Sequence, residues 1–228
     1  MACRRCGDRG YCIQPDPTNG GAFIHGPCPQ PQCEAGRLAR RQEETARLNH
    51  LFAETKLPEK YRAAALGDFA DVPALRQQVE SALDANRGLV LWGTFGTGKT
   101  HLAAAIVRQR LSEGVVGLFI KTPALLNRMR ATFDKDSTGP TAAELLTAVK
   151  RVPLLVLDDL GVEKTTDWVT ETLYEIVDSR YCDGLPLIIT TNLTAPDLKK
   201  QIGKRIASRL AEMCVWIEMN GDDRRMGR

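Results

Sequence analysis

A short apolar run, Leu89-Val90-Leu91-Trp92, opens directly onto Gly93-Thr94-Phe95-Gly96-Thr97-Gly98-Lys99-Thr100, and an amphipathic helical pattern follows. This is the complete G-x-x-x-x-G-K-[ST] pattern in its proper strand-to-helix context, and it constrains the fold more than any other feature of the chain. Glycines let such a turn curl until its backbone N–H groups point at phosphate oxygens, and the helix N-terminus adds partial positive charge there. A plain glycine-rich turn is the bland alternative, disfavoured by the full motif and its flanks. Lys99 is expected to bridge the β- and γ-phosphates of ATP, and Thr100 to offer its hydroxyl to Mg²⁺. The expected nucleotide-binding stretch is Gly93, Thr94, Phe95, Gly96, Thr97, Gly98, Lys99, Thr100 and His101.

Two further apolar runs end in polar residues. Leu154-Leu155-Val156-Leu157 leads into Asp158-Asp159, the pattern of a buried parallel strand that delivers a carboxylate opposite a phosphate loop. Asp158 is expected on the magnesium side, and Asp159 is the candidate to orient or deprotonate an attacking water. Capping of the following helix is the simpler role for such a pair. Leu187-Ile188-Ile189 leads into Thr190-Thr191-Asn192, where Asn192 is placed to hydrogen-bond the γ-phosphate or the water; an ordinary turn asparagine is its rival.

From residue 73 onward, helical patterns and short apolar strands alternate, which predicts an α/β domain on a parallel sheet. Strands are expected at 88–92, 115–120, 154–158, 186–190 and 215–218. Helices are expected at 74–86, 99–112, 123–133, 141–150, 166–181, 195–201 and 203–212, with a polar loop over 134–140. Residues 35–72 read as a helical connector, a charged helix over 35–54 followed by a turn-prone segment after Pro58. Residues 1–34 are rich in Gly, Pro and Cys and cannot build a packed core alone. The expected division is therefore a metal-binding module at 1–34, the connector at 35–72 and a nucleotide-binding domain at 73–228.

Composition narrows the class of protein. Hydrophobic residues make up 43% and charged residues 26% of the 228, which excludes a mainly disordered chain. The apolar runs fall far short of the roughly 20 residues of a membrane helix. The start, Met1-Ala2-Cys3-Arg4-Arg5-Cys6, has charges but no apolar stretch after them. A cytoplasmic protein with no membrane partner is expected. A net charge of +3 argues against global polyelectrolyte binding, although residues 199–228 hold eight basic and four acidic residues.

Seven cysteines in such a chain point away from a disulfide framework. Cys3 and Cys6 have C-x₂-C spacing, Cys28 and Cys33 have C-x₄-C spacing, and the pairs are separated by room for a hairpin centred on Asn19-Gly20-Gly21. A closed, structural Zn²⁺ site of four cysteines is expected, with metal binding and folding of the module as one event. Cys12 and His25 remain alternative ligands; Cys12 falls in the first strand of the hairpin, where a small buried side chain is expected. Reduced thiols without metal are the bland reading. Cys182 and Cys214 read as structural or incidental. Trp92 and Trp216 border strands and read as core, whereas Trp168 opens a helix after the acidic strand.

The order of phosphate loop, Asp-Asp strand and Thr-Thr-Asn strand resembles the AAA+ ATPases. More narrowly, the chain is similar to the DnaC/DnaI-type helicase loaders and their relatives, the IstB transposition ATPases. The supporting stretches are Leu57-Pro58-Glu59-Lys60-Tyr61-Arg62 followed by Phe69, Asp178-Ser179-Arg180-Tyr181, Gly203-Lys204-Arg205-Ile206-Ala207-Ser208-Arg209-Leu210, and the closing Gly221-Asp222-Asp223-Arg224-Arg225. The resemblance implies a five-stranded parallel sheet in the order 5-1-4-3-2 and self-association through the ATPase domain. It implies that Arg209 acts as a finger reaching a neighbour's γ-phosphate, with Arg205 one turn earlier on the same helix face, and that Arg225 senses nucleotide within its own subunit. The helices over 123–150 resemble an insertion that touches single-stranded DNA in initiator-type members; Lys121, Arg128 and Arg130 fall there, with a solvated charged face as the default. Among members, the N-terminal zinc site varies between four cysteines and sets containing histidine.

The resemblance thus implies an ATP-hydrolysing loader that grips a ring-shaped, DnaB-type replicative helicase through its N-terminal region and delivers it onto single-stranded DNA. Two rivals stand beside it. One is an IstB-like accessory ATPase of transposition, against which the cysteine module speaks because IstB relatives generally carry a helical N-terminal region. The other is a metal-stabilised nucleic-acid adaptor that uses ATP as a switch without turnover. Nothing resembles the lid of a small-molecule kinase.

Overall fold

The computed structural model describes residues 3, 5–7, 9–15, 23–52, 57–133, 139–221, 223 and 224. The chain forms two compact units, 1–53 and 54–228. No helix among the described residues is long and apolar enough to cross a membrane.

In the first unit, β1 (Tyr11–Pro15) pairs antiparallel with β2 (Phe23–Pro27), Cys12 standing opposite Gly26. The expected Asn19-Gly20-Gly21 turn lies outside the described residues. Helix α1 (Glu34–Leu51) follows, its N-terminus capped by the Cys33 sulfur, which accepts from the Gly36 N–H at 3.2 Å. The charged helix foreseen as a connector therefore shares a unit with the hairpin.

The second unit opens with two short 3₁₀ turns, Glu59–Tyr61 and Leu66–Phe69. Then come α2 (Pro73–Asp84), β3 (Gly88–Trp92), α3 (Lys99–Ser112), β4 (Gly117–Lys121), α4 (Thr122–Ala131), α5 (Ala142–Arg151), β5 (Leu154–Asp158), α6 (Asp167–Cys182), β6 (Leu187–Thr191), α7 (Ala195–Ile202), α8 (Lys204–Met213) and β7 (Cys214–Glu218). The strands form one all-parallel sheet in the order β4-β5-β6-β3-β7. Counted within this unit that is 2-3-4-1-5, the expected order read from the other edge.

Near-continuous apolar strands such as Leu154–Leu157 and Leu187–Ile189 are buried throughout, as parallel strands covered on both faces must be. Strand β4 starts two residues later than the apolar pattern predicts. The Val115 N–H is spent on the Arg110 carbonyl, closing the end of α3, so pairing begins only at Gly117. The Arg180 side chain is fully buried on α6 and donates to the carbonyls of Val149 at 2.9 Å, Val152 at 2.8 Å and Pro186 at 2.6 Å. It ties the end of α5 to the segments entering β5 and β6, and burial lowers its pKa to about 10.

Candidate functional site

The residues expected to hold the nucleotide meet where β3, β5 and β6 release their chains toward the start of α3. Lys99 is buried, and its Nζ donates to the carbonyls of Gly93 at 3.0 Å and Thr94 at 2.6 Å. The Thr97 hydroxyl donates to the same Thr94 carbonyl at 3.1 Å, while Phe95 points outward and is 72% exposed. Gly96 has φ +77°, a conformation that favours glycine, and the Asp223 carboxylate packs against the position its Cβ would take. The chain after β7 returns onto the loop, the Arg224 N–H bonding the Gly96 carbonyl at 3.0 Å.

Asp158 closes β5 and is fully buried. Its Oδ1 accepts from the Thr190 hydroxyl at 2.7 Å, whereas Oδ2 has no hydrogen-bond partner among the described residues. Burial raises its pKa, and the neighbouring Asp159 charge adds to this; the Thr190 hydrogen bond and the nearby Thr100 hydroxyl act the other way. An orphaned carboxylate oxygen beside the Thr100 hydroxyl is a donor set suited to a hard cation, so these residues fit the Mg²⁺ expected with ATP. Asp159 adopts φ +57°, and its Oδ2 lies 3.4 Å from Lys121 Nζ.

These groups border a cleft of about 360 Å³ lined by Gly96, Gly98, Lys99, Thr100, Asp159 and Asn192 on the phosphate side. The other wall comes from the segment before α2, through Lys60, Tyr61, Asp68 and Phe69, and from His101 and Arg224. His101 Nε2 and Asp68 Oδ2 are 2.5 Å apart, and the His101 ring meets Tyr61 edge-on at 6.0 Å. The Arg224 guanidinium covers the Phe69 ring at 5.0 Å and donates to Asp71 at 2.9 Å. Sequence reasoning missed Arg224, Asp68 and Thr190 as site residues. The only advance signals were the Leu57-to-Phe69 and closing arginine stretches and the hydroxyl in an otherwise apolar strand.

The remaining expected residues lie elsewhere. Arg225 is outside the described residues. Arg205 is exposed on α8 and does not line the cleft. Arg209, also on α8, is bound within its own chain: Nε donates to Asp178 Oδ1 and Nη2 to the Tyr174 hydroxyl at 3.1 Å. Trp168 packs edge-on to Phe133 at 6.2 Å, with the Arg130 guanidinium 4.9 Å from its ring.

In the first unit, the sulfurs of Cys3, Cys6, Cys28 and Cys33 all lie within 4.8 Å of one another. Cys3 and Cys28 are 3.6 Å apart, and Cys6 and Cys33 3.4 Å. Tetrahedral zinc with bonds near 2.3 Å needs sulfurs about 3.8 Å apart, so the four residues fit the ion. Without a cation, burial pushes the Cys28 thiol up to about 12. Gly36 lets α1 approach, because a Cβ there would meet the Cys28 carbonyl at 2.6 Å. Cys12 packs beside the cluster, half-buried rather than buried as expected, and is not one of the four. The side chain of the other alternative, His25, is outside the described residues.

The family model described as IstB-like ATP binding protein matches residues 32–227. The replicative helicase loader DnaC of Escherichia coli K12 is 31% identical over 169 residues, covering 73% of this chain and 68% of that protein. The replicative helicase loader DnaI of Bacillus subtilis is 28% identical, covering 61% of this chain and 48% of its own length. An ATP-binding protein of a Mycobacterium tuberculosis insertion sequence is 33% identical, covering 68% and 57% respectively. Among solved structures, the DnaC helicase loader superposes with a TM-score of 0.63 at 27% identity, covering 71% of this chain and 99% of that one. The chain belongs to the IstB/DnaC family of AAA+ ATP-binding proteins.

Proposed function

We propose that this chain is a cytoplasmic, ATP-hydrolysing helicase loader that binds a ring-shaped, DnaB-type replicative helicase and delivers it onto single-stranded DNA. The observation that carries the proposal is the pairing, in one chain, of a nucleotide cleft with a separate unit built around four clustered cysteines. Relatives named as replicative helicase loaders, DnaC and DnaI, support the same role.

In the cleft, Lys99 exchanges its two backbone carbonyls for phosphate oxygens, and the loop N–H groups hold the remaining charge. Thr100 and Asp158 would hold Mg²⁺, whose charge would offset that developing on the transferred phosphoryl group. Asp159 accepts the proton of the attacking water, and Asn192 orients that water or the γ-phosphate. Arg209, supplied by a neighbouring subunit, stabilises the transition state and couples turnover to assembly, with Arg205 beside it on the same helix. Cys3, Cys6, Cys28 and Cys33 would hold Zn²⁺, and the cross-link it supplies would order the N-terminal unit for the helicase.

The test is co-purification of the full chain with candidate replicative helicases, with and without Mg²⁺-ATP, alongside phosphate release by wild type and Asp159→Asn. Capture of a helicase together with phosphate release that Asp159→Asn abolishes is expected; no capture in any nucleotide state removes the loader assignment. A second reading, an IstB-like accessory ATPase, is favoured by the 33% identical insertion-sequence relative. It predicts binding of duplex DNA and a transposase in place of the helicase. Capture of a partner with no phosphate release would identify the non-hydrolysing switch.

A further inference from the structure

We propose that Thr190 is a positioning residue of the nucleotide site, whose single hydroxyl orients the carboxylate of Asp158 and fixes the backbone turn that presents Asp159. The inference rests on the ATP and Mg²⁺ reading of the cleft given above. Thr190 lies on β6, a strand of five buried residues that opens with Leu187, Ile188 and Ile189 and ends with Thr190 and Thr191. Sheet packing there asks only for a β-branched side chain, which valine supplies equally well. The hydroxyl is therefore an exception that needs a reason.

Both of its capacities are used on the end of β5. The hydrogen goes to Asp158 Oδ1 at 2.7 Å, and the oxygen accepts the Asp159 N–H at 2.9 Å. The first bond fixes the rotation of the Asp158 carboxylate. One oxygen is occupied and the other, Oδ2, is left buried without a hydrogen-bond partner among the described residues, available to a cation. The second bond acts on a strained turn. Asp159 occupies the left-handed region at φ +57°, which a residue with a side chain rarely adopts unless its surroundings hold it there. Those surroundings are the Thr190 hydroxyl, the Thr190 carbonyl accepting the Leu160 N–H at 2.9 Å, and the Thr191 hydroxyl donating to the Leu160 carbonyl at 2.7 Å. The turn places Asp159 in the lining of the cleft. One side chain thus gives two adjacent carboxylates different tasks, as outer partners of metal ligands do elsewhere.

The experiment compares the full-length wild type, Thr190→Val and Thr190→Ser. Mg²⁺ is titrated at fixed concentration of a non-hydrolysable ATP analogue while analogue binding is read; phosphate release and thermal unfolding without nucleotide are measured in parallel. Thr190→Val is expected to raise the Mg²⁺ concentration for half-maximal binding about 10-fold and to lower phosphate release by at least about as much. Binding without Mg²⁺ should stay within about 2-fold, and Thr190→Ser, which keeps the hydroxyl, should restore both quantities to within about 3-fold. An unchanged Mg²⁺ titration for Thr190→Val overturns the proposal. So does an equal loss in Thr190→Ser, or a loss as large without Mg²⁺ as with it. If Thr190→Val does not unfold cooperatively, Thr190→Cys keeps the volume with weak hydrogen bonding and carries the same expectation. A wild-type chain that binds the analogue with Mg²⁺ but releases no phosphate counts against hydrolysis alone, and the Mg²⁺ titration still decides Thr190. A wild type without Mg²⁺-dependent binding contradicts the reading of the cleft itself.

Discussion

Arg209 and Asp178 form an ion pair within one chain, joining α8 to α6, and the Tyr174 and Tyr181 rings lie 5.0 and 5.7 Å from the guanidinium. If Arg209 serves a neighbour's nucleotide as proposed, it would exchange Asp178 for phosphate oxygens. The pair is partly exposed and screened by solvent, so it contributes little to folding. Arg209→Ala is therefore expected to fold normally and to release little phosphate. Mixed with Lys99→Ala, which keeps Arg209 but lacks the phosphate-binding lysine, it should regain activity above either variant alone. A mixture no more active than its components, with both folded and able to associate, would exclude action across subunits.

Asp158 carries a different trade. Its burial makes ionisation costly in the empty site, and its unpartnered oxygen adds to that cost. Asp158→Asn removes the charge and keeps an acceptor for the Thr190 hydroxyl. The variant should be as stable as wild type without ligand, or more stable, because burial already disfavours the charged form of Asp158. The extra thermal stabilisation that Mg²⁺-ATP analogue gives the wild type should disappear. Thermal melts with and without the analogue read both effects.

Arg180 illustrates the opposite case, a buried charge with a structural task. Its neighbours are backbone carbonyls of the α5–β5 and β6 entry segments. Arg180→Met leaves those carbonyls unmatched in the interior, which is expected to cost about 3 kcal/mol or more in chemical denaturation. Analogue affinity, corrected for the folded fraction, should stay close to wild type, because Arg180 does not line the cleft.

The cysteine unit has few apolar residues to hold it. Removal of metal by a chelator, or Cys28→Ser, should unfold it, with loss of helical signal from α1 because Cys33 caps that helix. Metal analysis of the full chain should give one zinc per molecule, falling in Cys28→Ser. Retention of the helical signal after complete metal removal would show that the unit folds on other grounds.

The parallel sheet and the phosphate loop were legible because period and motif agree on them, and the strand order because the resemblance implies it. Leu154-Leu155-Val156-Leu157 running into two aspartates announces both a strand and what stands at its end. What the sequence hid was the use of side chains across distant segments. Nothing local in Arg224 marks its place over Phe69, because that contact exists only once the chain after β7 folds back onto the loop. The Asp68–His101 contact spans 33 residues and depends on how the turn before α2 meets α3. The left-handed backbone of Asp159 is likewise a product of the two hydroxyls on β6, and the partners of Arg209 follow from α8 lying against α6.

The most direct test of the account is an equilibrium titration of the full chain with a non-hydrolysable ATP analogue, in Mg²⁺ and in EDTA, with Lys99→Ala as control. Lys99 donates to two loop carbonyls that phosphate oxygens would replace. The account predicts saturable binding that weakens in EDTA and falls at least about 10-fold in Lys99→Ala, while the melting temperature of the ligand-free variant changes little. Binding that is absent in Mg²⁺, or equally strong in Lys99→Ala, would contradict it.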